Sequence, residues 1–361
     1  MKRKNLIIIA IVILVAVAAV LVAVHGARKS TFRQDYHIKD ISSVTQIFMA
    51  DMDENQVLLQ RPPKGSADTT WIVNKQYPAN QPMIDLLLET LHTMRIREQV
   101  NRNAVPNIIA RISSGNIKVE VYQRRYLINL FDGRVKLFPT ERKTVTYYVG
   151  GETQDLMASY MFRDGDKVPY IIHIPGFRGF LTPRFTADPT KWRSHKIVDL
   201  DVKHIARISL DIPQMPNESF AIERNGEGFE MHDAAGTLVH GFDTARVAQM
   251  LSSFTNLNFD EYAEIVPHSN AANDVATGPR AILRITDTDG TTTEVKTYIK
   301  YTNPDDLMAM PDPEMYEEFD LNRLYAIVNQ SDTVLIQYYA FDNILQPASY
   351  FRGSEKSFFA R

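Results

Sequence analysis

Cysteine is missing from this 361-residue chain. Its absence removes disulfides, thiolate metal sites, cysteine nucleophiles and an N-terminal lipidated cysteine together. Either side of a membrane stays open, since a chain this long builds a core without covalent staples. The body also lacks any concentrated run of Lys or Arg, and the formal net charge is only −3. That argues against nucleic acid as a partner. Catalytic signatures are lacking as well: no G-x-S-x-G elbow, H-E-x-x-H, G-x-G-x-x-G, P-loop or S-x-x-K pair occurs. These gaps lower the expectation of an enzyme without removing it, because catalytic groups also assemble from scattered positions. No cofactor is expected.

What is present begins with the N-terminus. Lys2, Arg3 and Lys4 precede an unbroken apolar run, Leu6 to Val24. At ~1.5 Å per residue such a run spans roughly 28 Å, close to the thickness of a bilayer's hydrocarbon. The flanking positive charge predicts a cytoplasmic N-terminus with the rest of the chain outside. A cleaved signal peptide is the rival, but its apolar core would be only ~7–15 residues. Here "AVHGA" also makes a poor cleavage site, because Val24 and His25 intrude. The expected order is a stub (1–5), a membrane helix (6–24) and a linker (25–37), with the body in the periplasm.

The body reads as a duplication. Asp40, Ile41, Val44 and Ile47 match Asp201, Val202, Ile205 and Ile208 at an offset of 161 (201 minus 40). Strand-like runs follow in the same order: "QVLLQR" and "SFAIER", then "TTWIV" and "GFEMH". A helix comes next in each half. Asn80 is its expected N-cap in the first, ahead of Ile84, Leu87, Leu88 and Leu91, with Pro82 in the first turn. Asp243 caps Val247, Met250, Leu251 and Phe254 in the second, every position 163 later (243 minus 80). "IKVEVY" then parallels "AILRIT"; Asp155, Leu156 and Tyr160 parallel Asp320, Leu321 and Tyr325; Asp166 and Val168 parallel Asp332 and Val334. The expected class is α+β, with two tandem, related units over 38–198 and 199–347 and a tail over 348–361. Each unit is expected to hold an antiparallel sheet of three or four strands with one packed helix.

The stretches "WIVNKQYPANQPMIDLLLETL", "VPYIIHIPGFRG", "DPTKWRSHKIVDLDVKHI" and "VLIQYYAFDNILQP" resemble a domain-of-unknown-function family (DUF4340-like) of Gram-negative envelope proteins. The resemblance covers nearly all of residues 35–350. It implies one inner-membrane helix and an exported body. For some relatives it implies auxiliary parts beside ABC transporters of the gliding-motility type. It transfers no catalytic residue.

Several clusters carry a chemical and a structural reading side by side. "TDTDGTTTE" (286–294) has a calcium-loop look, but Ile285 and Lys296 stand where such a loop needs acids, so a hairpin is expected. The acidic runs 51–55 and 311–320 are expected to be solvated loops rather than metal sites. The nine histidines are dispersed, and His195 and His204 near the junction read as structural or surface residues. The junction concentrates Phe177, Phe180, Phe185 and Trp192 with Arg178 and Arg184. Aromatic and Arg side chains dominate interface energetics, which makes these six the candidate binding residues. The structural alternative is that the aromatics plug a groove between the halves. A second "FRG" at Phe351–Gly353 suggests a segment that acts like Phe177–Gly179.

Together these features predict a membrane-anchored module that binds a partner without catalysis, and the resemblance implies an ABC-type permease as that partner. An envelope hydrolase acting on a glycan or peptide in an inter-domain cleft is the alternative, and an inert spacer is the third reading.

Overall fold

The computed structural model describes residues 15–17, 36–63, 65–66, 69–130, 135–226, 228–263, 270–302 and 319–353. The expected stub, most of the apolar run and nearly all of the linker lie outside the described residues. So do most of the second acidic run and the last eight residues. Among the described residues, no helix is long and apolar enough to cross a membrane. The chain divides into two compact units between Ser194 and His195, four residues before the expected boundary.

The first unit contains β1 (Val44–Ala50), β2 (Gln56–Gln60), β3 (Ile72–Val73), β4 (Tyr77–Pro78) and helix α1 (Gln81–Thr93). Then follow β5 (Arg95–Gln99), α2 (Val105–Ser114), β6 (Ile117–Leu130), β7 (Val135–Glu152), β8 (Ser159–Arg163), β9 (Tyr170–His173) and the short α3 (Pro189–Trp192). The second contains β10 (Lys196–Val198), β11 (Ile205–Asp211), β12 (Phe220–Asn225), β13 (Gly228–Asp233), β14 (Leu238–Val239) and α4 (Thr244–Ser252). After these come β15 (Leu257–Asn258), β16 (Glu261–Tyr262), α5 (Asn270–Ala276), β17 (Ala281–Asp287), β18 (Thr292–Tyr301), β19 (Phe319–Val328), β20 (Asp332–Gln337) and α6 (Tyr338–Phe341).

Each unit is built on one antiparallel sheet of nine strands, not three or four. The orders are β4-β3-β2-β1-β6-β7-β8-β9-β5 and β14-β13-β12-β11-β17-β18-β19-β20-β16. Replacing each strand of the first list by its counterpart reproduces the second. The sheets are larger than expected because pieces as short as Ile72–Val73 and Glu261–Tyr262 join them. Two-residue strands carry no periodic signal.

The alternating pattern decides the core. Ile47 and Met49 on β1, Val57 and Leu59 on β2, and Val119 and Val121 on β6 face one way and are fully buried. Helix α1 covers them with Ile84, Leu87, Leu88 and Leu91. The N–H of Met83 donates to Asn80 Oδ1, and Pro82 sits in the first turn. In the second unit Ala245 and Arg246 N–H donate to Asp243 Oδ1 at 3.0 and 3.1 Å, and Val247, Met250, Leu251 and Phe254 are buried. Both caps and both apolar stripes stand where the spacing predicted.

Register also corrects one alignment. Met161 pairs with Tyr170, and Ala326 pairs with Val334. Tyr170, rather than Val168, is therefore the counterpart of Val334. Asp166 instead turns inward: Tyr36 Oη donates to Asp166 Oδ2 (2.7 Å), and Arg163 Nη2 pairs with Asp166 Oδ1 (2.9 Å). The Tyr147 hydroxyl donates to the carbonyl of Tyr36. Burial, reinforced by the Asp166 hydrogen bond, pushes the Tyr36 hydroxyl pKa up, and burial does the same for Tyr147. Both phenols stay neutral donors, and they pin the start of the body to the sheet.

A second helix covers part of each sheet's other face, which makes the units three-layered there. In the first unit α2 packs Ile108 and Ile112 against Tyr148, Tyr160 and Phe162. Gly150 permits the close approach: a Cβ there would lie 2.7 Å from Ile112 Cγ1 and 3.1 Å from the Tyr160 carbonyl oxygen. Following the registers across, Gly150 corresponds to Tyr298, which is buried in the second unit. Gly150→Ala is expected to destabilise the first unit by about 1–3 kcal/mol through overpacking. Denaturant unfolding followed with probes in each unit checks this; an unchanged first-unit midpoint refutes the close-approach role.

Candidate functional site

The six junction residues do not form one surface. Phe185 and Trp192 are fully buried in the first unit's core. The N–H of Asn80, the N-cap of α1, donates to the Trp192 carbonyl at 2.7 Å, and Trp192 Nε1 donates to the Thr186 carbonyl. Arg184 lies 4.4 Å from the Phe177 ring centroid and donates to Thr90 Oγ1 on α1 (3.0 Å). Phe180 is half-buried, while Phe177 (37% exposed) and Arg178 face solvent. Only the 177–180 turn remains accessible as a binding surface.

The second "FRG" has a different counterpart from the one its letters suggest. Phe351 is fully buried in the second unit, and its carbonyl accepts from the N–H of Asp243, the N-cap of α4, at 2.7 Å. Phe351 therefore does for α4 what Trp192 does for α1. Ala348 is buried beside it, so the second unit runs past residue 347 into the expected tail.

The first acidic run and the 286–294 stretch hold their own turns. Asp51 accepts from the N–H groups of Asp53 and Asn55, both at 3.0 Å. Asp287 does the same for Asp289 and Thr291 in a hairpin that carries Gly290 at positive φ. His195 stacks on Phe259, with ring centroids 4.7 Å apart, and His204 is exposed. Among the described residues, no group of three or more His, Asp or Glu is placed to hold a metal ion.

The site with the richest chemistry was not singled out in the sequence. It lies on the face of the second sheet away from α4. Strand alternation points Arg207, Ser209 and Asp211 outward from β11, while Ile208 and Leu210 enter the core. Register sets Ser209 beside Ala221 and Arg284, Arg207 beside Glu223, and Ala221 beside His232. A concavity of about 750 Å³ opens over them, bordered by Pro213, Pro216 and the Asp233–Gly236 turn.

Its floor is low because its side chains are small. Phe48 and Leu58 pair at the corresponding position of the first sheet, where the second has Ser209 and Ala221. The charges also differ in sign. Phe48 adjoins Glu120 in the first sheet, whereas Ser209 adjoins Arg284 in the second. Arg284 pairs with Asp211 (2.5 Å) and Glu294 (2.9 Å), and Arg207 pairs with Glu223 (2.6 Å). Burial works to lower the Arg284 pKa, but hydrogen bonds to Asp211 and Glu294 outweigh it and raise the net value. Burial likewise raises Glu294, and its bonds to Lys296 and Arg284 bring it down overall. His232 Nδ1 is buried with no hydrogen-bond partner. The cleft thus presents matched charges of both signs over an uncrowded floor. Chemically it suits a polar segment that carries both signs itself.

In the first sheet, the position matching Arg284 is a carboxylate held by three donors. Lys118, Lys143 and Tyr122 reach Glu120 at 2.8, 3.1 and 2.8 Å. Burial alone would raise the Glu120 pKa, yet these bonds hold it at about 2. A depressed carboxylate pKa adds stability above the ordinary carboxylate range, and that stability is lost as pH falls toward 2. Glu120→Gln is expected to cost about 1–2 kcal/mol at neutral pH, discounted because both lysines reach water. The gap to the parent should close in acid. Unfolding free energies across a pH series check this, and a pH-independent gap refutes it.

No curated protein and no solved structure matches the chain significantly. A family model does, from Trp71 in the first unit to Ala281 at the start of β17. Since residues 71–281 make up more than half of its length, the chain belongs to the family described as Domain of unknown function (DUF4340).

Proposed function

We propose that this protein is a single-pass, membrane-anchored envelope module that binds a polypeptide partner through the cleft of its second unit. The carrying observation is the exchange of Phe48 and Leu58 for Ser209 and Ala221 at matched register positions. One sheet face is filled by bulky side chains, while its counterpart is left open and lined with charge. A duplicated scaffold that keeps its core and changes one face supports recognition as the role of that face. A partner loop carrying both signs of charge replaces one member of a pair as it removes the other from water, so no charge is left buried alone.

The anchor reading rests on the apolar run Leu6–Val24 with its preceding basic residues. The body then lies in the periplasm. The resemblance to envelope proteins beside gliding-motility-type transporters favours a permease-associated or motility-associated subunit as the partner. Binding is favoured over hydrolysis at this face by the pairing of its charges. Two of the carboxylates that line it are tied to cations, Asp211 to Arg284 and Glu223 to Arg207.

Two measurements test the proposal. A photo-crosslinking residue at His232 in native membranes should capture one transport or motility subunit, and adding Ala221→Leu should abolish that adduct while the fold persists. An adduct pattern indifferent to Ala221→Leu defeats the cleft reading. Because the parent has no cysteine, exposed Asp289→Cys gives a unique topology probe. It should react with a membrane-impermeant maleimide from outside the inner membrane. Labelling only after lysis overturns the periplasmic placement.

A further inference from the structure

The largest difference between the two units is the length of one hairpin. β17 and β18 close tightly at Asp287–Thr292. Their counterparts β6 and β7 run on together well past the sheet, through Arg124–Glu141, Tyr126–Pro139 and Ile128–Leu137 to Leu130–Val135. Past Gln123 the hairpin has left its neighbour, since β1 begins at Val44, opposite Gln123. From Gln123 to Leu130 is eight residues, roughly 26 Å at the usual strand rise.

An isolated two-stranded ribbon is marginal in water, and one with apolar residues in solvent needs a partner. This arm exposes Leu127 (63%), Phe138 (62%) and Leu137 (47%). No apolar exposure accompanies the tight turn of the second unit, where Asp287 and Gly290 close the loop. Beside the exposed side chains stand Arg124, Arg125 and Arg142 against Glu141, while Lys143 pairs with Glu120. Three positive and one negative make +2, in a chain whose formal total is −3. Basic residues beside exposed apolar side chains of the arm match the two layers of an anionic bilayer surface: charged headgroups outside, hydrocarbon beneath.

The position of the arm agrees with this. Tyr36, where the described body begins, is held by Tyr147 and Arg163, which pair with each other on β7 and β8. β8 ends at Arg163 while running toward the arm, so the chain enters the unit at the end from which the arm projects. The entering segment abuts the arm's base, where buried Gln123 donates to Ser43 Oγ (2.8 Å) and the Asp40 carbonyl (3.3 Å). Only residues 25–35 separate the apolar run from Tyr36. Eleven residues cannot span more than roughly 38 Å, so an arm of this length lies within reach of the bilayer that holds the anchor.

We infer that the β6–β7 arm docks on the anionic membrane surface, dipping Leu127, Leu137 and Phe138 into it and fixing the first unit as a second point of attachment. The inference takes from the proposed function only the nearness of the bilayer; the arm's exposed apolar side chains and their basic neighbours stand without it.

The test uses the full chain in vesicles of phosphatidylglycerol and phosphatidylcholine, with single cysteines carrying an environment-sensitive fluorophore. Leu127→Cys and Phe138→Cys should shift to the blue and be quenched by a lipid-borne quencher, while Asp289→Cys should not. The shift should vanish in pure phosphatidylcholine. Arg124→Gln with Arg142→Gln should weaken it about 25-fold, at roughly fivefold for each basic residue. Val17→Cys, within the apolar run, reports the anchor separately. If Val17→Cys is quenched while Leu127→Cys keeps its aqueous emission, the docking inference is wrong and the anchor stands. If Leu127→Cys is quenched and Val17→Cys is not, docking holds and the anchor reading fails. A label at Leu127→Cys shielded from water but untouched by the lipid quencher means that protein covers the arm, which overturns the inference.

Discussion

The pairing of β1 with β6, and of β11 with β17, determines where almost every informative side chain points. Each joins strands about seventy residues apart in the chain. Because side chains alternate with a period of two, a slip of one residue would turn Ile208 and Leu210 outward and bury Arg207 and Asp211. Burying those charges without partners costs far more than the ladder hydrogen bonds contribute. Register is therefore set by the core, and the outer face inherits its geometry. The Arg284 and Glu120 clusters occupy matching places for this reason alone.

A second device closes each unit. The helix that covers the core is capped by Asn80 or Asp243, and the N–H of that same cap residue donates to the carbonyl of a buried aromatic, Trp192 or Phe351, near the end of the unit. A helix N-terminus has backbone donors with no partner inside the helix. Here the returning chain supplies an acceptor to the cap residue itself and brings a large apolar side chain into the core at the same point. One contact thus joins the middle of each unit to its end, which explains why Trp192 and Phe351 are buried although both lie in segments rich in Arg, Gly and turn residues.

With core and closure shared, the differences between the units lie on their outer surfaces. Ser209 and Ala221 leave a cleft where Phe48 and Leu58 fill the face. Gly150 lets α2 lie close on its sheet, where the second unit has the buried Tyr298. A tight Asp–Gly turn in one unit is a long basic arm with exposed apolar side chains in the other. None of these changes touches the α1 or α4 stripe. The scaffold tolerates them because each sits outside the layer that supplies most of the buried apolar area.

The duplication, the two capped helices and the Asp287 hairpin were legible in the linear chain, since caps, turn residues and apolar spacing act over a few neighbouring positions. Strand number was not, because two-residue strands owe their existence to the ladder they join. The junction aromatics misled for a related reason: composition marks Phe185 and Trp192 as sticky but cannot say whether core or solvent receives them. The cleft was invisible because Arg207, Glu223, His232 and Arg284 come from four strands and meet only through register. Local chemistry thus determined which elements form and that they form twice. Only the folded sheets, by bringing distant strands side by side, decided which face is filled, which is open and which hairpin reaches beyond its own sheet.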